Sequence, residues 1–193
     1  MSDETALEEL LSRPTAAVVE AMTSLDGDLM LLGAGGKMGP SLARLAQRAS
    51  DQAGIRRRVV AVSRFSAGGR EGALESDGIE TISCDLFDPG RLAQLPDTPN
   101  IIYMAGQKFG TTGEEARTWA VNAYLPGAVA ERFRRSRIVA FSTGNVYPLW
   151  PIGGAGPAET DPAGPIGEYA RSALARERVL EFFSLRNRTP MAL

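Results

Sequence analysis

Short apolar runs alternate along the chain with longer segments in which apolar residues recur at helical spacing. The runs are rich in apolar and β-branched residues and lie at 28–32, 58–63, 80–84, 100–104 and 137–142. Most of them are apolar at consecutive positions, which is typical of a strand that helices cover on both faces. Strands that alternate with helices predict an α/β domain with a parallel sheet.

The segments of helical period lie near residues 37–50, 71–76, 89–94, 114–133 and 168–185. Pro126 lies inside the fourth of them. A proline there removes a backbone N–H and clashes with the preceding turn, so we expect a kink.

An additional apolar stripe precedes the first strand, at residues 5–24, and Pro14 interrupts it. This pattern predicts one or two accessory helices. The 193 residues suit one large domain. We therefore expect an accessory N-terminal helical segment, 1–27, followed by a single domain, 28–193.

Two segments leave alternatives open. Residues 148–167 are dense in glycine and proline and form either a functional loop or a mobile connector. The apolar residues 189–193 form either a very short edge strand or the start of an element that this sequence does not complete.

Composition excludes several classes of function. The 21 basic and 23 acidic residues give a net charge of -2, so nothing in the overall charge favours a nucleic-acid or anionic-membrane partner. The chain has no histidine and a single cysteine, Cys84, which we interpret as a small buried hydrophobe. This removes histidine-dependent nucleophile systems and thiolate or imidazole zinc sites. With no signal peptide and no apolar run of membrane-spanning length, we expect a cytoplasmic protein without metal.

A glycine-rich turn, GAGGKMG at residues 33–39, follows the first apolar run and opens a segment of helical period. Glycines at a strand-to-helix turn permit a tight bend, close approach of a pyrophosphate and close packing of the helix. The helix N-terminus adds free amides and a partial positive charge. The position favours a nucleotide-binding turn over a plain connection. A P-loop is excluded because the glycine spacing differs and Met38, not Ser or Thr, follows Lys37.

Further motifs occur at the ends of the other apolar runs. They are CDL at 84–86, YMAG at 103–106, STGNVY at 142–147 and YARS at 169–172. Together with the GxxGxxG spacing of the glycine turn, their order resembles the extended short-chain dehydrogenase/reductase superfamily of NAD-dependent epimerases and dehydratases. The similar region covers residues 28 to about 188. The resemblance implies a three-layer Rossmann fold with a doubly wound parallel sheet.

The resemblance also implies the site. Thr143 matches the hydroxyl that orients the substrate oxygen, and Tyr169 matches the acid/base that exchanges a proton with it. The residues expected to bind the cofactor are Gly33, Gly35, Gly36, Lys37, Met38, Gly39, Ser63, Arg64, Asp85, Leu86, Met104, Ala105, Gly106, Asn122 and Tyr169.

One departure from the family concerns activity. The family has a lysine four residues after the tyrosine, on the same helix face, where it holds the ribose and lowers the pKa of the phenol. That position is Ala173 here. Arg176 lies nearly two turns from the tyrosine, and a guanidinium that stays charged does not relay a proton. The chain is thus identified as a truncated member that lacks the catalytic lysine and the C-terminal substrate-binding portion.

Two hypotheses on function follow. The first is an NAD(P)-binding, epimerase/dehydratase-like oxidoreductase that acts on a sugar-like or other secondary alcohol, with a nucleotide sugar as one candidate substrate. The second is a non-catalytic NADP(H)-binding sensor or scaffold. The pair Thr143 and Tyr169 favours the first, and Ala173 favours the second. Extended relatives often pair through two long helices, so we also expect a homodimer.

The end of the second apolar run predicts which dinucleotide binds. NAD-specific Rossmann proteins place an acidic residue there to bond the ribose 2′-hydroxyl. This chain has Ser63 and Arg64 instead. A guanidinium can bind a 2′-phosphate through two N–H groups, so we expect NADP to be preferred, with NAD as the alternative. In the competing interpretation Arg64 merely points into solvent.

Overall fold

The apolar runs form strands at the expected places in the computed structural model, which describes residues 3–66 and 69–193. The strands are β1 (Leu29–Leu32), β2 (Val59–Ser63), β3 (Glu80–Ser83), β4 (Asn100–Tyr103), β5 (Arg137–Ala140) and β6 (Met191–Ala192). The first five confirm the predicted runs. β6 confirms a very short strand within residues 189–193.

The strands form one six-stranded sheet in the order β3-β2-β1-β4-β5-β6. β1 pairs in parallel with β2 on one side and with β4 on the other, and β2 pairs in parallel with β3. The chain therefore winds outward in both directions from β1. This is the strand order of a doubly wound Rossmann sheet, which confirms the predicted fold class.

The helices also follow the predicted pattern, with one exception. They are α1 (Glu4–Leu11), α2 (Ala16–Ser24), α3 (Gly39–Gln52), α4 (Arg70–Ser76), α5 (Pro89–Gln94), α6 (Glu115–Trp119), α7 (Leu125–Arg132) and α8 (Gly167–Asn187). None of the helices in the described ranges is long and apolar enough to cross a membrane.

The exception is the segment expected as one helix over 114–133. A π-helical turn, Ala120–Tyr124, separates α6 from α7. In this turn the N–H of Leu125 bonds the carbonyl of Ala120, five residues back. Pro126 has no N–H to give to the carbonyl of Asn122, so the regular ladder cannot continue there. The irregularity thus lies just before Pro126.

The chain divides into two compact units, each with its own buried residues. Unit 1 comprises Met1–Ala105 and Arg135–Val139, and unit 2 comprises Gly106–Arg134 and Ala140–Leu193. In unit 1, all four residues of β1 are buried, and apolar side chains of β2, α3 and α4 pack around them. In unit 2, buried side chains of α7 and α8 form the interior, among them Val129, Ala173 and Leu180.

The accessory helices α1 and α2 belong to unit 1, and they are separated at Pro14 as expected. The carboxylate of Glu8 accepts hydrogen bonds from Ser41 at 3.0 Å and from Arg44 at 3.1 Å, both on α3. A hydrogen bond from Arg48 lowers the pKa of the neighbouring Glu9 carboxyl. Charged groups on α1 therefore attach it to the outer side of α3.

Arg57, just before β2, holds the segment between α2 and β1. Its buried guanidinium donates to the carbonyls of Gly27 at 2.7 Å, Met22 at 3.2 Å and Leu25. Burial lowers the pKa of this guanidinium from its ordinary value, although it stays protonated near neutrality.

Candidate functional site

β1 ends in the glycine turn, where the backbone passes too close to its neighbours for side chains. Gly33 has a φ of +95°, and a Cβ there would lie 2.7 Å from the backbone nitrogen of Ala105 after β4. A Cβ on Gly39, the first residue of α3, would lie 2.0 Å from the carbonyl oxygen of Ala34. Any L side chain at Gly39 would therefore move α3 away from β1.

The turn leaves a set of backbone donors open. The N–H groups of Gly33 and Ala34 bond the carbonyl of Val62 in β2, at 2.9 and 3.1 Å. By contrast, the N–H groups of Lys37 and Met38 make no hydrogen bond with any described residue. Met38 is the N-cap of α3 and provides no side-chain cap.

The open donors lie in the exposed part of the turn, which consists of Gly36, Lys37 and Met38. A helix N-terminus with free N–H groups and no capping side chain attracts an anion. The turn therefore fits a pyrophosphate, because its glycines carry no side chains and the N–H groups of Lys37 and Met38 have no partner among the described residues. This is the fit that a bound dinucleotide requires, and it involves unit 1 alone.

The ends of β2 and β4 lie beside the turn. A Cβ on Gly35 would lie 2.4 Å from the Oγ of Ser63, so the two residues are in direct contact. Arg64 follows and is exposed. Beyond β4, Met104 donates its N–H to Leu32 at 2.9 Å and, with Ala105, borders the turn at Gly33.

The end of β3 presents Asp85. One of its carboxylate oxygens accepts the N–H of Phe87 at 3.1 Å, which fixes the turn into α5. Leu86 is buried, whereas Asp85 is only half-buried. Cys84 is buried, as expected, and burial raises the pKa of its thiol. Direct contact of Asp85 and Leu86 with adenine stays a prediction.

Arg70, the first residue of α4, was not anticipated from the sequence. Its guanidinium donates to the carbonyl of Gly35 at 2.6 Å. Arg70 and Gly35 are 35 residues apart in the sequence, so no local motif predicts their contact.

In unit 2, Asn122 is fully buried and its amide is saturated by protein groups. Its oxygen accepts from the N–H of Gln107 at 2.9 Å and from Arg176 at 2.8 Å. Its nitrogen donates to the carbonyl of Gln107 at 2.9 Å and to the Oγ of Ser172 at 3.0 Å. Asn122 thus fixes the chain after Gly106, and a direct contact between Asn122 and the cofactor stays a prediction.

Arg176 is the second residue that sequence reasoning undervalued. Its guanidinium is buried and donates to the carbonyl of Phe141 at 2.8 Å as well as to Asn122. A Cβ on Gly106 would lie 2.8 Å from it. Its hydrogen-bond acceptors are neutral oxygens, and no carboxylate of the described ranges pairs with it.

The next residue of α8 holds the same segment. Glu177 accepts a hydrogen bond from the hydroxyl of Ser142. Consecutive residues of α8 therefore bind Phe141 through its backbone and Ser142 through its side chain. These two contacts fix the chain directly before Thr143.

The two expected catalytic residues also lie in unit 2. The Oγ1 of Thr143 accepts the N–H of Asn145 at 3.3 Å and caps the 3₁₀ turn Gly144–Val146. Tyr169 lies in the first turn of α8 and is half-buried. Within the part of the chain that the structure describes, no hydrogen bond joins Thr143 and Tyr169. Their catalytic roles stay predictions.

The glycine- and proline-rich loop after Val146 returns to its starting point. The N–H of Gly164 donates to the carbonyl of Val146 at 3.0 Å. Leu149 and Ile152 are strongly exposed on this loop. Both interpretations of residues 148–167, a functional loop and a connector, stay open.

Similar solved structures include a UDP-glucuronic acid 4-epimerase from Bacillus cereus in complex with NAD, with a TM-score of 0.68 and 19% identity over 85% of this chain and 54% of that chain. A UDP-Glc/GlcNAc 4-epimerase from Campylobacter jejuni matches with a TM-score of 0.68 and 19% identity over 84% of this chain and 50% of that one. A UDP-glucose 4-epimerase from Brucella ovis in complex with NAD has a TM-score of 0.66 and 18% identity over 86% of this chain and 50% of that chain.

These similarities establish that the chain shares the Rossmann-type fold of these epimerases. The chain spans about half the length of each of them. No family model matches the chain, and the search of curated proteins found no match either.

The anchoring role of Arg176 can be tested by measuring the free energy of unfolding. Arg176→Met leaves the buried oxygens of Asn122 and Phe141 without a charged donor, and we expect the free energy of unfolding to fall by about 2 to 4 kcal/mol. Arg171→Met, on the exposed side of the same helix, is the matched control and should change it by less than about 0.5 kcal/mol. Urea denaturation followed by circular dichroism measures both. Equal effects would contradict the anchoring role of Arg176.

Proposed function

We propose that residues 28–193 bind a nicotinamide dinucleotide, with its pyrophosphate on the glycine turn, and that residues 1–27 are an accessory segment. The observation that carries the proposal is the turn itself. Side chains at Gly33 and Gly39 would collide with backbone atoms, and the N–H groups of Lys37 and Met38 make no hydrogen bond with any described residue. The turn follows β1, where the strand order reverses, and such points are where doubly wound sheets bind ligands.

We propose NADP as the preferred dinucleotide because of the residues at the end of β2. Ser63 and Arg64 follow β2 where an NAD-specific site would have an acidic residue. Arg64 is exposed and is therefore accessible to a 2′-phosphate. The NAD bound in similar structures keeps NAD as the alternative.

The reaction that we propose is epimerase/dehydratase-like oxidoreduction at a secondary alcohol. It is supported by the fold shared with UDP-sugar epimerases, which makes a nucleotide sugar one candidate substrate. A bound nicotinamide supplies the hydride acceptor. Thr143 would donate a hydrogen bond to the substrate oxygen, and Tyr169 would take the proton of its hydroxyl. A cytoplasmic location is part of this proposal and rests on the sequence alone.

A sensor or scaffold that binds NADP(H) without turnover is the second candidate function. Ala173 is almost completely buried at the position where the family has its lysine. The two lysines of the chain are Lys37 and Lys108, so α8 contains none. The helix therefore has no ammonium group to stand beside Tyr169.

Dinucleotide binding tests the first step of the proposal. Gly39→Ala places a methyl group against the carbonyl of Ala34, which should displace α3 and weaken NADPH binding at least tenfold, or by about 1.4 kcal/mol. Gly72→Ala is the matched control, because a Cβ there meets nothing within 4 Å. Calorimetric titration of the parent and both variants measures the effect. Equal binding by all three proteins would remove the turn from the cofactor site.

Turnover separates the two candidate functions. If the chain is an enzyme, incubation with NADP⁺ and UDP-sugars should yield product, and Tyr169→Phe should lower the rate by about a hundredfold or more because the phenol oxygen that takes the proton is lost. Tyr124→Phe, an exposed tyrosine outside the expected catalytic residues, should keep the parent rate. Chromatography of the sugars provides the readout. Dinucleotide binding without product would favour the sensor or scaffold.

We propose that the chain forms a homodimer through α6, α7 and α8. Aromatic side chains are exposed on α6, on the π turn and on α8: Trp119 by 38%, Tyr124 by 70% and Phe182 by 55%. Such side chains are enriched at protein interfaces. Sedimentation should show a dimer for the parent and for Phe109→Arg, a loop control, but a monomer for Tyr124→Arg. A monomeric parent at high micromolar concentration would refute the dimer.

A further inference from the structure

Arg70 is held on the glycine turn by a single contact. One terminal nitrogen of its guanidinium donates to the carbonyl of Gly35 at 2.6 Å. The side chain is otherwise exposed, and no carboxylate in the described part of the chain pairs with it. The remaining N–H donors of the guanidinium are therefore open to solvent.

The position of Gly35 decides what these open donors face. Gly35 touches Ser63, since a Cβ on Gly35 would lie 2.4 Å from the Oγ of Ser63 and 3.7 Å from the ring of Phe65. Gly35 is thus the common neighbour of Arg70 and of the residues that end β2. Arg64, between Ser63 and Phe65, adds a second exposed guanidinium. Ser63 and Arg70 therefore both contact Gly35, Arg64 directly follows Ser63, and neither arginine has a carboxylate partner within the described residues.

We infer that Arg70 is a specificity-determining residue, which binds the 2′-phosphate of NADP together with Ser63 and Arg64. The inference rests on the proposed function, because it assigns a further residue to the same dinucleotide site. Two guanidiniums and a hydroxyl suit a dianionic phosphate, which offers several acceptor oxygens. The contact with Gly35 restrains Arg70 before the ligand arrives, so less side-chain entropy is lost on binding.

A purely structural role for Arg70 makes a different prediction. If Arg70 served only to stabilise the turn through the Gly35 carbonyl, its loss would weaken NADPH and NADH binding equally, because both share the pyrophosphate. A residue that contacts the 2′-phosphate affects NADPH alone. The ratio of the two affinities therefore distinguishes the roles.

The experiment titrates the full chain with NADPH and NADH, by nicotinamide fluorescence, in four proteins: the parent, Arg70→Ala, Arg70→Gln and Arg56→Ala. Arg70→Gln keeps a side-chain N–H donor but removes the charge. Arg56→Ala removes an exposed arginine near the opposite end of β2. Adenosine 2′,5′-bisphosphate and 5′-AMP repeat the comparison without the nicotinamide half.

We expect both Arg70 variants to lose about tenfold or more in NADPH affinity while NADH affinity changes less than about threefold. Arg56→Ala should match the parent. An equal loss for both dinucleotides, or a ratio of the two affinities that stays at the parent value in either Arg70 variant, would overturn the inference while leaving dinucleotide binding intact. If the parent binds neither dinucleotide, the proposed function fails, and the assignment of Arg70 fails with it.

Discussion

The close approach of two backbone segments at the end of β1 is the constraint on which the candidate cofactor site depends. A Cβ on Gly39 would lie 2.0 Å from the carbonyl oxygen of Ala34, and a Cβ on Gly33 would lie 2.7 Å from the nitrogen of Ala105. These distances allow α3 to start directly above the strand and leave its first amides uncovered. The lack of side chains at these glycines therefore lets the two segments pack closely and also leaves room for an anion.

In unit 2 the central contacts are made by a buried charged side chain, the guanidinium of Arg176. Pro126 cannot donate to the carbonyl of Asn122, and the Nε of Arg176 lies 3.4 Å from that same oxygen. The guanidinium also reaches the Asn122 side chain and Phe141. One side chain of α8 thus connects the irregular part of the preceding helix with the residues that lead to Thr143.

The sequence predicted those features that depend on local pattern. Short runs of apolar and β-branched residues predicted the five strands, and Pro126 marked where the long helix loses its regular bonding. The sequence did not predict the roles of Arg70 and Arg176, because these depend on carbonyls far away in sequence, at Gly35 and Phe141. An arginine inside a helix has no signature that separates a solvated side chain from an anchor, so only the folded contacts reveal it.

The reliance on guanidinium groups has a consequence for how the protein responds to acidity. The chain has no histidine, the side chain that ordinarily titrates nearest neutrality, and its buried cations, Arg57 and Arg176, are guanidinium groups. Burial raises the pKa of the single thiol, Cys84. The acceptors of these two guanidiniums are carbonyl and amide oxygens, which do not titrate, so the contacts that anchor Arg57 and Arg176 contain no group that could serve as a pH switch in the neutral range.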